Sequence, residues 1–567
     1  MQNRSRLLAV TCSLALPLLA ASCGSSTPDP DKPPATKLDA AAFVKQQTEL
    51  LKPLRTSANL GWWNASITGT KEAFAASRKA TNAMNAYLAN PKRFATVKAL
   101  RATKVSDPLL RRQLDVLYMQ MLGKQVDPKL LKQVTALESE VEQMFNTYRG
   151  MINGKPATQS EVEKVLSKST NSKELQAAWE AQKGVGAKVA SKVVELAKLR
   201  NKVAKALGFR DFYALRLAEG EVDETELMNL FDELDRLTRK PFMAAKADVD
   251  QRLAKRLGIK VEALMPWHYQ NPFFQSPPDV FKTGLEPLFA KQDTVKVSKQ
   301  FFDGVGLEVD AIIKRSDLFE KKGKSPHAFA TNIDGEGDVR VLCNIVPNLQ
   351  WVKTTVHELG HAVYEQYSDP KLPYLLRGAT HAITTEGLAM MLDRPVGDPR
   401  WAQALGLLDA AAAGKSAAEA KAYLAFAPLQ FSRWTQVMLR FEKGLYSNPD
   451  QDLNALWWNL VEKYQGLKRP PGRNAPDYAS KIHIVVAPVY YHSYMLGDLF
   501  AAQVHEAIAK SLGKPAADVV YVGEPKVGTF LKEKLFAPGA RYSWSELTKR
   551  ITGKALSAEA FARRFTP

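Results

Sequence analysis

From Leu38 onward most apolar residues recur at three- and four-residue spacing, the pattern of amphipathic helices. The clearest stretch, residues 173–207, is long, free of proline and rich in Ala, Lys, Glu and Val, with Gly184 and Gly186 as its weak points. Similar patterns cover residues 224–240, 431–445 and 489–512, each with a proline close by that can begin or end a helix. Residues 328–346 break the pattern. There two short strand-like runs flank the turn-forming Asp334-Gly335-Glu336-Gly337, which predicts a β-hairpin. The expected fold is mainly α, without internal repeats or interior low-complexity linkers.

The first residues fall outside that body. Arg4 and Arg6 precede an apolar run over residues 7–21 that is too short to span a membrane, which reads as an export signal. The run closes on Leu19-Ala20-Ala21-Ser22-Cys23-Gly24, similar to a bacterial lipobox in which the cysteine becomes lipidated. The expected organisation is a lipoprotein-type signal peptide over residues 1–23, a polar, proline-rich tether over 24–37 and one domain over 38–567. This implies an exported protein of the bacterial cell envelope, in the periplasm or on the outer surface, held by a lipid anchor through Cys23. Cys343 then stands alone in the folded body, so no disulfide partner is expected; a core of this size needs none. The net charge of +19 is scattered along helical patterns among acidic neighbours, and no basic stretch carries a nucleic-acid motif. Nucleic acid is therefore not an expected partner.

All eight histidines lie between His268 and His505, which puts the chemistry in the second half of the chain. Val356-His357-Glu358-Leu359-Gly360-His361 follows a plausible Asn348 cap in a helical window. On a helix His357 and His361 project one turn apart from one face and can reach a single Zn2+, while Glu358 stands beside them as a base for water. A catalytic zinc usually has a third protein ligand. Glu386, 25 residues beyond His361 in Thr384-Thr385-Glu386-Gly387-Leu388-Ala389, is the choice, and His381 is its competitor.

The zinc motif with Glu386, His327-Ala328 thirty residues ahead of it, and residues 457–506 together resemble the angiotensin-converting-enzyme family of zinc peptidyl-dipeptidases, with this chain expected to be a bacterial member. The resemblance covers most of the second half and only fragments of the first, such as Gly208-Phe209-Arg210-Asp211-Phe212. It implies a two-lobed α-helical zinc metallopeptidase with a deep central cleft and the small hairpin beside the zinc helix, so that residues 38–567 form the peptidase domain.

The same resemblance implies roles for particular residues. His327 and Ala328 would open the strand that pairs with an extended peptide substrate. Lys481 and Tyr491 would bind the substrate's C-terminal carboxylate, while Tyr494 and His483 would donate hydrogen bonds to the oxyanion, with Glu358 as the proton carrier. Counting back from His505-Glu506-Ala507 selects Tyr491 and Tyr494, and counting forward from His483 leaves Tyr490 as a further candidate. The family's carboxylate-pocket glutamine is matched near Trp267-His268-Tyr269-Gln270, with Gln270 one place late and His268 either functional or structural. Other positions depart from the family. Ser493 and Val461 stand where chloride-activated relatives carry arginines, Pro326 replaces one of a cysteine pair, and Met390 replaces the acidic residue expected four places after Glu386.

The expected function is zinc-dependent hydrolysis of oligopeptides with release of C-terminal dipeptides. The alternatives are a zinc oligopeptidase or carboxypeptidase with another cutting register, and an inactive peptide-binding homologue.

Overall fold

The computed structural model describes residues 39–152 and 154–565, and the signal, tether and Cys23 lie outside the described residues. The architecture is mainly α and two-lobed, with a small antiparallel hairpin beside the helix that carries His357 and His361. The expected helices are present, and most are longer than their sequence patterns suggested. Residues 173–207 become Ser172–Ala206, and 489–512 become Tyr491–Leu512. Residues 224–240 grow into Glu224–Leu257 and residues 431–445 into Ala410–Ser447, each running through an internal proline, Pro241 and Pro428. An interior proline costs a helix about 3 kcal/mol. Burial of Phe242, Val249 and Leu253 beyond Pro241, and of Ala413 and Phe426 ahead of Pro428, offsets that cost.

Of the two weak points by propensity, Gly186 is required by close backbone packing, whereas Gly184 faces only the end of the Tyr148 side chain. A Cβ on Gly186 would lie 2.4 Å from the Pro476 carbonyl oxygen, and one on Gly184 would lie 2.2 Å from the Tyr148 hydroxyl. At Gly186 the cost in helix propensity is offset by this close approach.

The predicted hairpin pairs Phe329–Asn332 with Val339–Leu342 in the register Phe329 to Leu342 and Asn332 to Val339. Its turn is held by Asn332 Oδ1 accepting from the Gly335 N–H and by Asp334 Oδ1 accepting from Glu336 and Asp338. The Val339–Leu342 strand is bridged on its far side by Asp317, which leaves Phe329–Asn332 as the outer strand. A second hairpin, Gly150–Ile152 with Lys155–Ala157, was not expected. Its strands are three residues long and one contains Pro156, too short and too polar to show an alternating pattern.

One large core runs through most of the chain, and a smaller one is built by the first four helices and closes over Tyr374 and Leu375. The first helix, Ala40–Thr68, also packs on the hairpin: Trp62 lies 4.0 Å from the Phe329 ring, and Asn59 Nδ2 donates to the Asn332 and Ile333 carbonyls. N-terminal helices thus supply a wall beside the site.

Candidate active site

Three helices meet where the chemistry was expected. The first, Leu349–Gln366, starts at Asn348, whose Oδ1 accepts from the Trp351 N–H at 2.7 Å. Val352, Val356, Leu359 and Val363 bury its core face and turn His357 and His361 the other way. The second is Ala382–Asp393, and the third is Tyr491–Leu512. Glycines let them approach closely: a Cβ on Gly360 would lie 3.0 Å from Ala389 Cα, and one on Gly387 would lie 2.6 Å from the Gly497 carbonyl oxygen. Any side chain at Gly387 would push the glutamate-bearing helix away from the tyrosine-bearing one.

The two imidazoles converge, with His357 Nε2 and His361 Nε2 3.2 Å apart. Glu386 Oε2 lies 3.6 Å from the first and 3.8 Å from the second. Three donors on a tetrahedral zinc with bonds of about 2.0–2.1 Å should be about 3.3 Å apart, so the triad fits the ion. Both Nδ1 atoms are engaged elsewhere, which leaves the Nε2 lone pairs for metal: His357 Nδ1 meets Asp393 Oδ2 at 2.8 Å and His361 Nδ1 meets Thr385 Oγ1 at 2.6 Å. His381, the competing ligand, is instead the N-cap of its helix, with Nδ1 accepting from the Ile383 N–H.

Glu358 is buried, and burial pushes its carboxyl up to about 7, with His357 opposing the rise and Glu386 adding to it. The Ala330 main-chain N–H on the hairpin donates to it. Cys343 is a buried free thiol whose pKa is raised to about 12 by burial.

Beyond the triad, Tyr490, Tyr491 and Tyr494 cluster with ring centroids 5.1 Å (Tyr490 to Tyr494) and 5.7 Å (Tyr491 to Tyr494) apart. Tyr490 donates to Glu386 Oε1 at 3.4 Å, so the residue left over by the counting touches the third ligand. Tyr494 is half-buried, and burial followed by the charge of Glu386 raises its pKa to about 12. Tyr491 is buried against Trp434 and His483.

A cavity of about 310 Å³ is lined by Phe145, Tyr148, Phe273, Gln275, Lys481 and His483. Lys481 Nζ donates to Gln275 Oε1 at 2.6 Å and lies 5.2–5.7 Å from the ring centres of Phe273, Trp434 and Tyr491. Burial lowers its pKa to about 8. Burial, then Lys481, lowers His483 to about 4; its Nδ1 is buried without a hydrogen-bond partner. His327 is exposed just ahead of the hairpin, its N–H donating to Ser325 Oγ, and Ala328 is half-buried beside it.

Some candidates belong elsewhere. Gln270 is occupied by the Ser167 carbonyl and the Asp279 N–H, and the glutamine beside Lys481 is Gln275. His268, functional or structural on the sequence alone, has both ring nitrogens engaged, with Ser172 Oγ and the Met265 N–H. Asp393 and Thr385 were missed. Asp393 lies two turns after Glu386, where a search for an acidic residue at the four-residue spacing ends on Met390.

Two histidines one turn apart, a glutamate on the next helix and a buried glutamate beside them, on a mainly α frame, define a zinc metallopeptidase site. Residues 34–257 and 267–567 match the peptidase M2 family, described as angiotensin-converting enzyme, and the chain belongs to that family. It is 26% identical to the angiotensin-converting enzyme of Rattus norvegicus over 475 residues, which cover 77% of this chain and 36% of the rat protein. With the enzyme of the same name from Theromyzon tessulatum it shares 24% over 530 residues, covering 84% of this chain and 83% of the relative. With that of Sus scrofa it shares 25% over 523 residues, covering 84% and 39%. The chain therefore spans little more than a third of the length of the rat and pig proteins.

These relatives correct one part of the sequence reading. The expectation of a bacterial member, lipid-anchored through Cys23 in a bacterial envelope, is withdrawn, because the matched proteins come from animals. Among the described residues no helix is long and apolar enough to cross a membrane.

Proposed function

We propose that the protein hydrolyses oligopeptides and releases C-terminal dipeptides. Hydrolysis rests on the His357, His361 and Glu386 triad with Glu358 beside it, and the observation that carries the dipeptide register is Lys481, an ammonium group at the wall of a mixed polar and apolar cavity with Gln275 as its neighbour. A carboxylate clamp at a fixed distance from the scissile bond sets product length.

Zinc, when bound by the triad, supplies Lewis acidity toward a carbonyl oxygen and makes water a nucleophile near neutral pH. Glu358 takes one proton from the attacking water as the O–C bond forms, then delivers it to the departing amine nitrogen as the C–N bond breaks. Tyr494, still protonated, and neutral His483 donate hydrogen bonds to the carbonyl oxygen as its negative charge grows. His327 and Ala328, just ahead of the outer strand of the hairpin, present main-chain groups to an extended substrate. Lys481 and Tyr491 hold its terminal carboxylate.

The test compares a short peptide with its C-terminal amide and identifies the products by mass spectrometry. The expected outcome is release of a dipeptide from the acid and kcat/KM lower by about a hundredfold for the amide. Release of a single residue, or equal cleavage of both, would assign a different register.

A further inference from the structure

A second charged cavity lies behind the helix that supplies Glu386, apart from the catalytic residues. It has a volume of about 160 Å³, and its wall includes Met391, Arg394, Leu424, Ala502, Val519 and Arg564. Two guanidinium groups there share one buried carboxylate. Arg394 pairs with Asp498 Oδ1, and Arg564 Nη1 stands 3.7 Å from the same oxygen, too far for a hydrogen bond. Arg564 Nη1 is buried and has no hydrogen-bond acceptor.

Other polar groups around this cavity are already spoken for. Arg400 is paired with Asp398 and donates to the Ala517 carbonyl. His505 uses one ring nitrogen on the Tyr521 hydroxyl and the other on the Ala516 carbonyl. Arg564 is the exception, and burial, then Arg394, lowers its pKa to about 9 despite Asp498. Nη1 itself is sealed from the cavity, but the Arg564 side chain is 24% exposed and forms part of the cavity wall, and a guanidinium without a bonded acid partner is best matched by a carboxylate.

The remaining wall decides which anion fits. Met391, Leu424, Ala502 and Val519 are apolar, and the volume has room for several waters. A single-atom anion would occupy the charged end and leave water against the apolar end. We propose that this cavity binds a small organic carboxylate with a short apolar tail, its head on Arg564 and Arg394 and its tail on Met391, Leu424 and Val519. An occupant packs against the segment Ala382–Asp393 and Arg394, which also carries the third metal ligand.

The site is tested by calorimetric titration of the zinc-loaded full chain carrying Lys481→Ala, so that the other carboxylate-accepting cavity does not contribute. Butyrate, its neutral analogue butyramide and inorganic phosphate are the probes. Butyrate should bind, the other two should bind more weakly, and Arg564→Gln should weaken butyrate by about tenfold or more. Ala502→Leu, which fills the cavity without touching the charges, should also weaken butyrate. It serves as the test if Arg564→Gln does not fold. Absence of butyrate binding, phosphate binding as tightly as butyrate, or butyrate binding that is unchanged in the folded variants would overturn the proposal. None of these results depends on peptidase activity.

Discussion

Asp393 Oδ2 lies 2.8 Å from His357 Nδ1, two turns beyond Glu386 on the same helix, so one helix supplies both a metal ligand and the group that orients another. Met390, one turn beyond Glu386, has no carboxylate to offer, and Asp393 does that work from one turn further along. Asp393→Asn should therefore weaken zinc binding by about 10–100-fold while leaving the fold intact. Competition with a chelator measures it, and an affinity equal to that of the unmodified protein would remove Asp393 from the metal site.

As the proposed ligand of the substrate carboxylate, Lys481 would link substrate binding to pH. Burial lowers its pKa to about 8, so the ammonium is present below that value and lost above it, whereas a peptide carboxylate stays charged throughout. For a free-acid peptide kcat/KM should fall as pH rises through about 8. The C-terminal amide should lack that limb. Identical alkaline profiles for the two substrates, measured under the same buffer conditions, would show that Lys481 does not hold the carboxylate.

Glu442 supports the turn that leads into the tyrosines. Its Oε1 accepts from the Val489 N–H at 2.7 Å, and Val489 has φ +54, a conformation that strains a β-branched residue. Burial raises the Glu442 carboxyl to about 8 from its ordinary 4.5, so folding favours the protonated form. The stability that this form gives is complete below the ordinary value and lost as pH rises to about 8. Thermal stability should decline across that window, and Glu442→Gln should flatten the decline while keeping an acceptor for Val489. A glutamine variant with the same pH slope would place the linkage elsewhere.

Chloride should have little effect on turnover. Ser493 and Val461 are buried and uncharged where chloride-activated relatives carry arginines, and an unpaired buried anion bears a large desolvation cost. Near Val461 the cations already face the protein's own anion: Asp477 accepts from Trp458 Nε1 at 3.0 Å, pairs with Arg473 and is the carboxylate neighbour of the buried Lys183. Rates measured across chloride concentrations, with ionic strength held by a non-halide salt, should vary little. Saturable activation by chloride would show that Asp477 leaves Lys183 and Arg473 able to hold a second anion and would contradict this prediction.

The helical character, the hairpin with its turn, and the His357, His361 and Glu386 cluster were all legible in the sequence, because periodicity and ligand spacing are local signals. What the sequence hid depends on long-range packing. Pro241 and Pro428 read as helix ends because the burial that carries the helices through them comes from partners far along the chain. The sequence left Gln270 undecided and did not point to Gln275, because a backbone reversal, with Gln270 itself at φ +63, decides which glutamine reaches Lys481. Asp393 was hidden by its spacing, and Tyr490's contact with Glu386 depends on how the helices pack.

The central claim is that Glu358 carries the proton in a zinc-dependent hydrolysis, and Glu358→Gln isolates it because both imidazoles and Glu386 remain. The measurement is zinc stoichiometry and kcat on the same preparation of that variant, with a short free-acid peptide as substrate. The expected outcome is one tightly held zinc per chain and a kcat lower by about 10²–10⁴-fold, since the amide can neither take nor return the proton. A fully zinc-loaded variant with near-normal kcat would contradict it.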